Sequence, residues 1–493
     1  MSLHLSKSKY CTAIQCPKIL WLREHLPEEA DDTVINEALF ETGNQVGDLA
    51  MGLFGDFVEV PFGNLSEMIK TTQDLINAGE NVIAEASFSY EGNFCSVDIL
   101  KNLGDNKVEI YEVKSSTSVK EIHYDDVAYQ RYVLTMLGYD VIKVCVIHIN
   151  KDYVRNGELE LDKLFKIEDV TSFAEEKQAE VKIYVEGLPA YVAQPEEPDE
   201  KIGYQCFDPY ACPFFAHCTK GLPKPNVFDL AGVRLTKKLL CYYDGFTEFG
   251  ELWAFEDWKP AQQMQLEHEF LNLPPHIDKV RIIEFLSQLF YPIYFLDFES
   301  YQPAIPQFDY SKPYEQIVFQ YSLHYIEHKH GELKHKAFLA YPGKDPRRAL
   351  AEQLCKDIPM DVCVTAYNKA FERTRLKDLA ELYPDLREHL MNIHDNIIDL
   401  MVPFQKKHYY CKEMQGSYSI KYVLPALFPN VPELDYHNLE GVHNGAEASA
   451  TFLRMATMDK EELETYRNHL LEYCKLDTLA MVKIWEKLHE VIE

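Results

Sequence analysis

No stretch of the chain approaches the about eighteen consecutive apolar residues that a membrane-spanning helix needs. The start, MSLHLSKSKYC, carries lysines without an apolar run behind them, so a secretory leader is not expected. Both absences point to a cytoplasmic chain with no membrane partner. No segment repeats another, and the two halves are not copies. Positive charge is short as well: 49 Lys and Arg stand against 79 Asp and Glu, a net charge of −30 over 493 residues. So acidic a protein does not coat nucleic acid through a dense basic surface. The balance is still compatible with a nuclease, whose metal sites are acidic and whose basic groove is local.

What is present is an ordinary globular mixture, 46% apolar and 26% charged, able to bury sizeable cores. The length suggests two or three domains. Twelve cysteines in a cytoplasmic chain read as thiols or metal ligands rather than disulfides. Cys95, Cys145, Cys241, Cys355, Cys363, Cys411 and Cys474 are scattered among apolar neighbours and read as small core residues. Cys206, Cys212 and Cys218 form a cluster.

The pattern is α/β throughout. A helix over 33–54 precedes three strand-like runs, NVIAEASFSY, FCSVDILKN and VEIYEVKSS, separated by the turn residues EGN and GDN. The helical stretch EIHYDDVAYQRYVLTMLG and the buried strand VIKVCVIHIN follow. Residues 1–225 thus make a first domain, closed by a proline-rich, acidic stretch that holds the cysteine cluster. Residues 226–285 read as a helical connector. Residues 286–493 open with YPIYFLDFES, IVFQYSLHYIE and LKHKAFLA as strands. A helix, the strand DVCVTAYN and a second helix complete a β-β-β-α-β-α order, typical of ribonuclease-H-like folds.

The first domain holds one chemical constellation. Asp98 is expected to end one strand, and Glu112 and Lys114 share a face of the next by the period of two. A hairpin brings Asp98 opposite them. Two carboxylates can hold Mg²⁺ or Mn²⁺, and an adjacent ammonium can orient or deprotonate a water and offset phosphate charge. Asp126 and Gln130, one helical turn apart, could reach the same cleft.

Cys206-x5-Cys212-x5-Cys218, in YQCFDPYACPFFAHC, resembles the C-terminal cysteine cluster of iron–sulfur RecB-like nucleases of the PD-(D/E)XK superfamily, the CRISPR-associated members being nearest in organisation. The resemblance spans roughly residues 6–222. It implies a [4Fe–4S] cluster completed by an upstream cysteine: Cys16, before the helical PKILWL, with Cys11 second. Four thiolates equally suit zinc. It also implies catalytic roles for Asp98, Glu112, Lys114 and Gln130. Three departures stand out. The x5-x5 spacing is looser than the commoner x2-x5. The metal-binding histidine expected near Gly43-Asn44-Gln45-Val46-Gly47 is missing, with Glu85 or Asp48 as substitutes, and the expected tyrosine is Leu134.

In the second domain Asp297 and Glu299 sit two apart on a strand, AYNKAFE supplies Asn368 and Glu372, and LEYCKLD places Tyr473 and Asp477 on one helix face. Such acids can hold two metal ions for in-line phosphodiester cleavage. The series resembles the DnaQ-like, DEDD-type 3′–5′ exonucleases, in the variant with tyrosine in the third motif. It implies that Asp297, Glu299, Glu372 and Asp477 hold metal and Tyr473 orients water. The departure is Glu372 where Asp is usual. A rival third motif at His443 fails because position 448 is Ala. Asp395 and Asp399 read as helix caps. Substrate contacts are expected at Lys344, Arg347 and Arg348, at Lys406, Lys407 and His408 beside Tyr409 and Tyr410, and at Ser417 and Lys421.

Together the halves resemble an uncharacterised bacterial family, a domain of unknown function, joining a RecB-like iron–sulfur nuclease to a DnaQ-like exonuclease. LDFESYQPAIPQFDYSKPYEQIVFQYSLH and GSYSIKYVLPALFP carry that likeness. It implies a metal-dependent nuclease that processes DNA, favoured over RNA, in repair or defence. The alternative is a nucleic-acid-binding or scaffold protein with one or both sites degenerate.

Overall fold

The computed structural model describes residues 4–31, 33, 37–254 and 257–493. Its contacts divide into two units, Met1–Gly221 with Pro303–Tyr314, and Leu222–Gln302 with Glu315–Glu493. The stretch 226–285, expected as a helical connector, falls within the second unit. Val227, Leu230, Phe249, Leu252 and Leu266 form an apolar cluster inside the second unit. Conversely, Pro303–Tyr314 packs in the first unit. Ala304 is buried with Val46, Ile99 and Tyr111, and Arg155 donates to the carbonyls of Pro306 and Gln307 at 3.0 and 3.1 Å. Burial and peptide hydrogen bonds, not chain order, decide membership.

The first unit contains β1 (Leu5–Ser6), β2 (Val58–Glu59), β3 (Val82–Tyr90), β4 (Asn93–Gly104), β5 (Lys107–Lys114), β6 (Asp140–Ile149) and β7 (Phe165–Asp169). They form one sheet ordered β2-β3-β4-β5-β6-β7, with β1 beside β4. β3, β4 and β5 run antiparallel, while β6 is parallel to β5. Its helices include α1 (Lys7–Gln15), α2 (Pro17–His25), α3 (Glu37–Met51), α4 (Leu65–Ala78) and α5 (Glu121–Met136). The helix expected over 33–54 corresponds to α3; its start at 34–36 lies outside the described residues. The parallel step from β5 to β6 requires a crossover, which α5 supplies. Val108 and Ile110 pack with Ala128, Tyr129 and Val133 of α5. Tyr111 and Val113 join Val46 and Ala50 of α3. By that alternation Glu112 and Lys114 look toward α5.

The second unit contains β8 (His276–Ile277), β9 (Ile293–Tyr301), β10 (Ile317–Ile326), β11 (Lys334–Leu339), β12 (Cys363–Ala366), β13 (Ile397–Asp399) and β14 (Tyr409–Tyr410). The main sheet is ordered β11-β10-β9-β12-β13, and β8 pairs with β14 apart from it. β9, β10 and β11 are antiparallel, whereas β12 lies parallel to both β9 and β13. Tyr294, Leu296 and Phe298 pack against Leu350, Leu354 and Leu376 on one face. Ile293 and Phe295 pack against Leu476, Met481 and Ile484 of the long helix Lys460–Glu490 on the other. Asp297 and Glu299 continue the second series, so they face that helix. Among the described residues no helix is long and apolar enough to cross a membrane.

Candidate functional site

Asp98 lies in the middle of β4 rather than at a strand end, because the strand runs on to Gly104. The β4–β5 ladder ends at Ile99↔Tyr111. Beyond it the N–H of Val113 donates to Asp98 Oδ2 at 2.7 Å, which fixes the carboxylate across from Glu112. Glu112 is buried. Its Oε1 accepts from Lys114 Nζ at 2.6 Å and its Oε2 from Gln130 Nε2 at 2.7 Å. Asp126 accepts from Lys114 Nζ at 2.5 Å and from Gln130 Nε2 at 3.0 Å. The helix pair and the strand pair thus meet as their spacings imply.

Sequence reasoning missed a second cation. β1 pairs with β4 in parallel through Leu5↔Asn93 and Ser6↔Phe94, which sets the first residue of α1 over the cluster. Lys7 Nζ donates to Glu112 Oε1 at 2.8 Å and lies 3.7 Å from Asp126 and 4.0 Å from Asp98. Burial, then repulsion by Glu112, push Asp98 up to about 7 against the pull of Lys7 and Lys114. Burial alone would lower Lys114, but Asp126 and Glu112 hold it well above its ordinary value. Lys114, donating to both Glu112 and Asp126, offsets their charge and is placed to orient a group beside them. Of the two substitutes for the missing histidine, Asp48 is exposed. Glu85 sits at a left-handed φ of 54°, where the β3–β4 pairing skips from Ala84↔Ile99 to Ala86↔Val97. Burial raises its carboxyl, with Lys7 and Glu112 as the next influences.

Lys7 yields a prediction. Removing one partner of a mostly buried ion pair costs on the order of 2–3 kcal/mol once partial exposure is allowed for. Lys7→Met should therefore lower the melting temperature in chelator. Added Mn²⁺ should restore more of the loss in the variant than it adds to the wild type, since the ion takes the ammonium's place. Equal Mn²⁺ responses would show that Lys7 and metal do not share these carboxylates.

Cys16, Cys206, Cys212 and Cys218 line one cavity with Lys18, Ile202 and Phe214. Cys16 joins the end of α1 to the start of α2, and the Cys212 N–H donates to the Cys206 carbonyl at 3.0 Å. Burial raises all four thiols, Cys212 to about 12. Lys18, paired with Glu197 at 2.6 Å, supplies positive charge beside Cys16 and Cys218. Cys11 packs elsewhere, against the first unit's core, with Asp126 and Lys114 as its charged neighbours.

In the second unit β9 carries Asp297 and Glu299, the first turn of the helix Ala370–Leu382 carries Glu372, and the helix Lys460–Glu490 carries Tyr473 and Asp477. A bulge in β10, between Val318↔Ser300 and Gln320↔Glu299, lies opposite Glu299. Such bulges re-aim side chains. Burial, then Asp477, hold the Asp297 and Glu299 carboxyls well above the usual range, with Glu372 adding to both. Burial brings Asp477 up to about 7 against hydrogen bonds from Tyr436 and Tyr473 and the pull of Lys421. Burial likewise brings Glu372 up to about 8. Its Oε2 is buried without a hydrogen-bond partner. Tyr436, which sequence reasoning missed, donates to Asp477 Oδ1 at 2.6 Å. A Cβ on Gly445 would lie 3.6 Å from Glu299 Oε2 and 4.0 Å from the Tyr473 hydroxyl, so that helix start borders the acids.

These shifts set a pH dependence. In the folded, metal-free protein Asp477 and Glu372 still bind protons at pH values where unfolded carboxyls, with pKa about 4, have lost them. Their contribution to stability is thus full below about pH 4 and is lost as pH rises through about 7 and 8. Thermal unfolding in EDTA should show a melting temperature that falls between about pH 5 and 8.5. Mg²⁺ or Mn²⁺ should flatten that fall.

Several expected contacts are corrected. Lys407, Tyr409 and Tyr410 are buried, and Lys407 donates to the Gly416 carbonyl at 2.6 Å, so this group is core rather than a stacking surface. Burial lowers Lys407 to about 8. Arg347 is buried against Asp345 at 2.7 Å, and Arg348 pairs with Asp385 at 2.6 Å. Lys344, Lys406 and Lys421 are exposed, while His408 and Ser417 are half-buried. Of these, Lys421 acts on a site carboxylate. Asp395 ends a helix beside His394 at 2.7 Å. Asp399 accepts from the N–H groups of Asn368 and Lys369 at 3.0 and 3.1 Å, fixing the turn before the Glu372 helix. His443 bonds Glu447 at 2.9 Å just before a helix start. Cys474 is not an ordinary core thiol: its Sγ lies 3.7 Å from Asp297 Oδ2.

Residues 294–419 match the model of a family described as a domain of unknown function (DUF2779). The match includes Asp297, Glu299 and Glu372 and stops short of Tyr473 and Asp477. An uncharacterized protein of Ureaplasma parvum is 28% identical over 223 residues, 41% of this chain and 31% of that protein. One of Mycoplasma genitalium is 27% identical over 255 residues, 48% of this chain and 36% of that protein. The chain thus spans about a third of the length of these curated relatives. The similarities support an uncharacterised family. No solved structure matches the chain significantly.

Proposed function

We propose that the chain is a metal-dependent nuclease hydrolysing phosphodiester bonds, with DNA as the favoured substrate. One observation carries the reading. Four carboxylates, Asp297, Glu299, Glu372 and Asp477, converge where burial raises them all, and Asp477 and Glu372 further raise Asp297 and Glu299 by repulsion. The cations acting on them, Lys421 on Asp477 and Arg375 on Glu372, do not reverse those shifts. The unpartnered Glu372 Oε2 shows one acceptor still free. A site of hard oxygen donors and surplus negative charge fits Mg²⁺ or Mn²⁺. Bound there, such ions lower the pKa of water and stabilise a leaving oxygen. Burial and the charge of Asp477 keep the Tyr473 hydroxyl protonated, so it serves as a donor that orients a water or phosphate oxygen. The β-β-β-α-β order resembles ribonuclease-H-like folds and supports the DnaQ-like, 3′–5′ exonuclease reading.

The PD-(D/E)XK reading of the first unit rests on Glu112, Lys114 and Gln130 meeting at hydrogen-bond distance, with Asp98 held across from them by the Val113 N–H, and on Asp98 and Glu112 as the ligands for Mg²⁺ or Mn²⁺. The thiol cavity fits a [4Fe–4S] cluster. Ligands of one tetrahedral zinc would sit about 3.8 Å apart. Yet among the described residues the group with three ligand atoms within 4.8 Å is Asp297, Glu299 and Cys474, not the four cysteines. A second reading, a nucleic-acid-binding platform, is favoured for the first unit by Lys7, which already neutralises Glu112 at 2.8 Å.

Digestion of 3′- and 5′-labelled single and double strands in Mg²⁺ and Mn²⁺ tests both readings. Mononucleotides released from 3′ ends should be lost in Asp477→Asn and persist in Asp98→Ala. A separate cleavage should vanish in Asp98→Ala and Lys114→Ala. If the wild type cleaves nothing with either ion, the nuclease reading falls.

A further inference from the structure

We propose that the Cys474 thiol is a ligand of the carboxylate centre in the second unit, which therefore prefers a divalent cation more tolerant of sulfur, Mn²⁺ or Cd²⁺, to Mg²⁺. The inference deepens the metal-centre reading above and rests on it. Cys474 follows Tyr473 and lies three residues before Asp477 on one helix, so the thiol and the carboxylate share a face. Its side chain is fully buried. Sγ lies 3.7 Å from Asp297 Oδ2, and Cys474, Asp297 and Glu299 present ligand atoms all within 4.8 Å of one another. In a tetrahedral zinc site, the best-defined sulfur-and-oxygen case, an oxygen at about 2.1 Å and a sulfur at about 2.3 Å lie about 3.6 Å apart. The observed separation therefore needs little movement. Glu372 Oε2, buried and without a hydrogen-bond partner, is an independent sign of a donor set shaped for a cation.

The ligand set has a chemical consequence. Mg²⁺ demands near-octahedral oxygen ligands; Mn²⁺ also favours oxygen but accepts a sulfur more readily, and Cd²⁺, a soft ion, seeks sulfur. The centre thus discriminates between ions by its sulfur as well as by charge. Cys355, half-buried in this unit, has Asp385 rather than the site acids as its charged neighbour and serves as a control.

The test uses the full chain. Mn²⁺ binding is followed by the loss of the free-ion paramagnetic resonance signal, with Mg²⁺ as competitor. Cd²⁺ binding is followed by ultraviolet thiolate-to-cadmium absorption, read as a difference from the cysteine variants. Cys474→Ser should reduce the preference for Mn²⁺ over Mg²⁺ at least tenfold and remove one thiolate's share of the Cd²⁺ absorption. Cys355→Ser should change neither. Asp297→Asn should lose the same share, because both ligands hold one ion. Cys474→Ala, checked by circular dichroism, covers the case in which Ser disturbs packing. Unchanged selectivity and absorption in both Cys474 variants would overturn the proposal. So would Cd²⁺ absorption that persists in Asp297→Asn. Mn²⁺ binding without nuclease activity sinks the nuclease reading and leaves this one standing; no Mn²⁺ binding by the wild type sinks both.

Discussion

Asp297→Asn and Asp477→Asn are each expected to cut 3′–5′ digestion by about 10³-fold or more, the scale set by losing a group that stabilises transition-state charge. Asparagine keeps the shape and one acceptor oxygen but not the charge that holds a cation. Tyr473→Phe should cost less, about 10–100-fold, because it removes one orienting hydroxyl and leaves the carboxylates in place. A stability readout separates lost chemistry from lost structure. Burial raises Asp297 and Asp477, and Asp477 repels Asp297, so neutralising either removes the cost of a buried charge and that repulsion in the metal-free protein. Both variants should therefore melt higher than wild type in EDTA while being inactive. An inactive variant that melts lower would point to damage instead. Glu372→Asp is the informative companion. If the longer side chain weakens one metal position, the shorter one should raise activity or shift the balance between Mn²⁺ and Mg²⁺; if Glu372 is fitted to its place, activity should fall. No digestion by wild type and Glu372→Asp alike, with either ion, leaves the DnaQ-like likeness as one of fold only.

The second large effect concerns the thiol cavity. Protein purified without oxygen should be brown, absorb broadly near about 400 nm and hold about four irons per chain. Single Cys→Ser changes at Cys16, Cys206, Cys212 or Cys218 should each remove most of the iron. Cys16 lies between α1 and α2, and the other three follow the rest of the first sheet, so a cluster would close a loop around nearly the whole unit. By the chain entropy of so long a loop, losing that tie costs on the order of 4 kcal/mol. Unfolding followed in the first unit should move far more than with a surface change such as Lys9→Ala. Stoichiometric zinc without iron in anaerobic preparations would count against the cluster. Full iron in Cys16→Ser would move the fourth ligand, although Cys11 faces the Asp126 side and not the cavity.

The α/β class, the long strands and the acids sharing a strand or helix face were legible in the sequence, because those features follow from local periodicity. Glu112 with Lys114, Asp297 with Glu299 and Tyr473 with Asp477 need only a period of two or a helical turn. The four cysteines were legible through their likeness to a known pattern. Lys7 was not, since β1 has two residues and no alternation to read, and its place comes from pairing with β4. Tyr436 was equally hidden, reaching Asp477 from a short turn far along the chain. Lys407, Tyr409 and Tyr410 looked like a basic aromatic surface because composition does not say which side of a chain segment is buried. Cys474 looked like core for the converse reason: it is buried, but beside Asp297. Pro303–Tyr314 joined the first unit through contacts that no spacing encodes. Local periodicity, written in the sequence, thus determined which residues share a face. Which faces meet, and so which charges are balanced and which are not, was decided only by long-range strand pairing and burial in the folded chain.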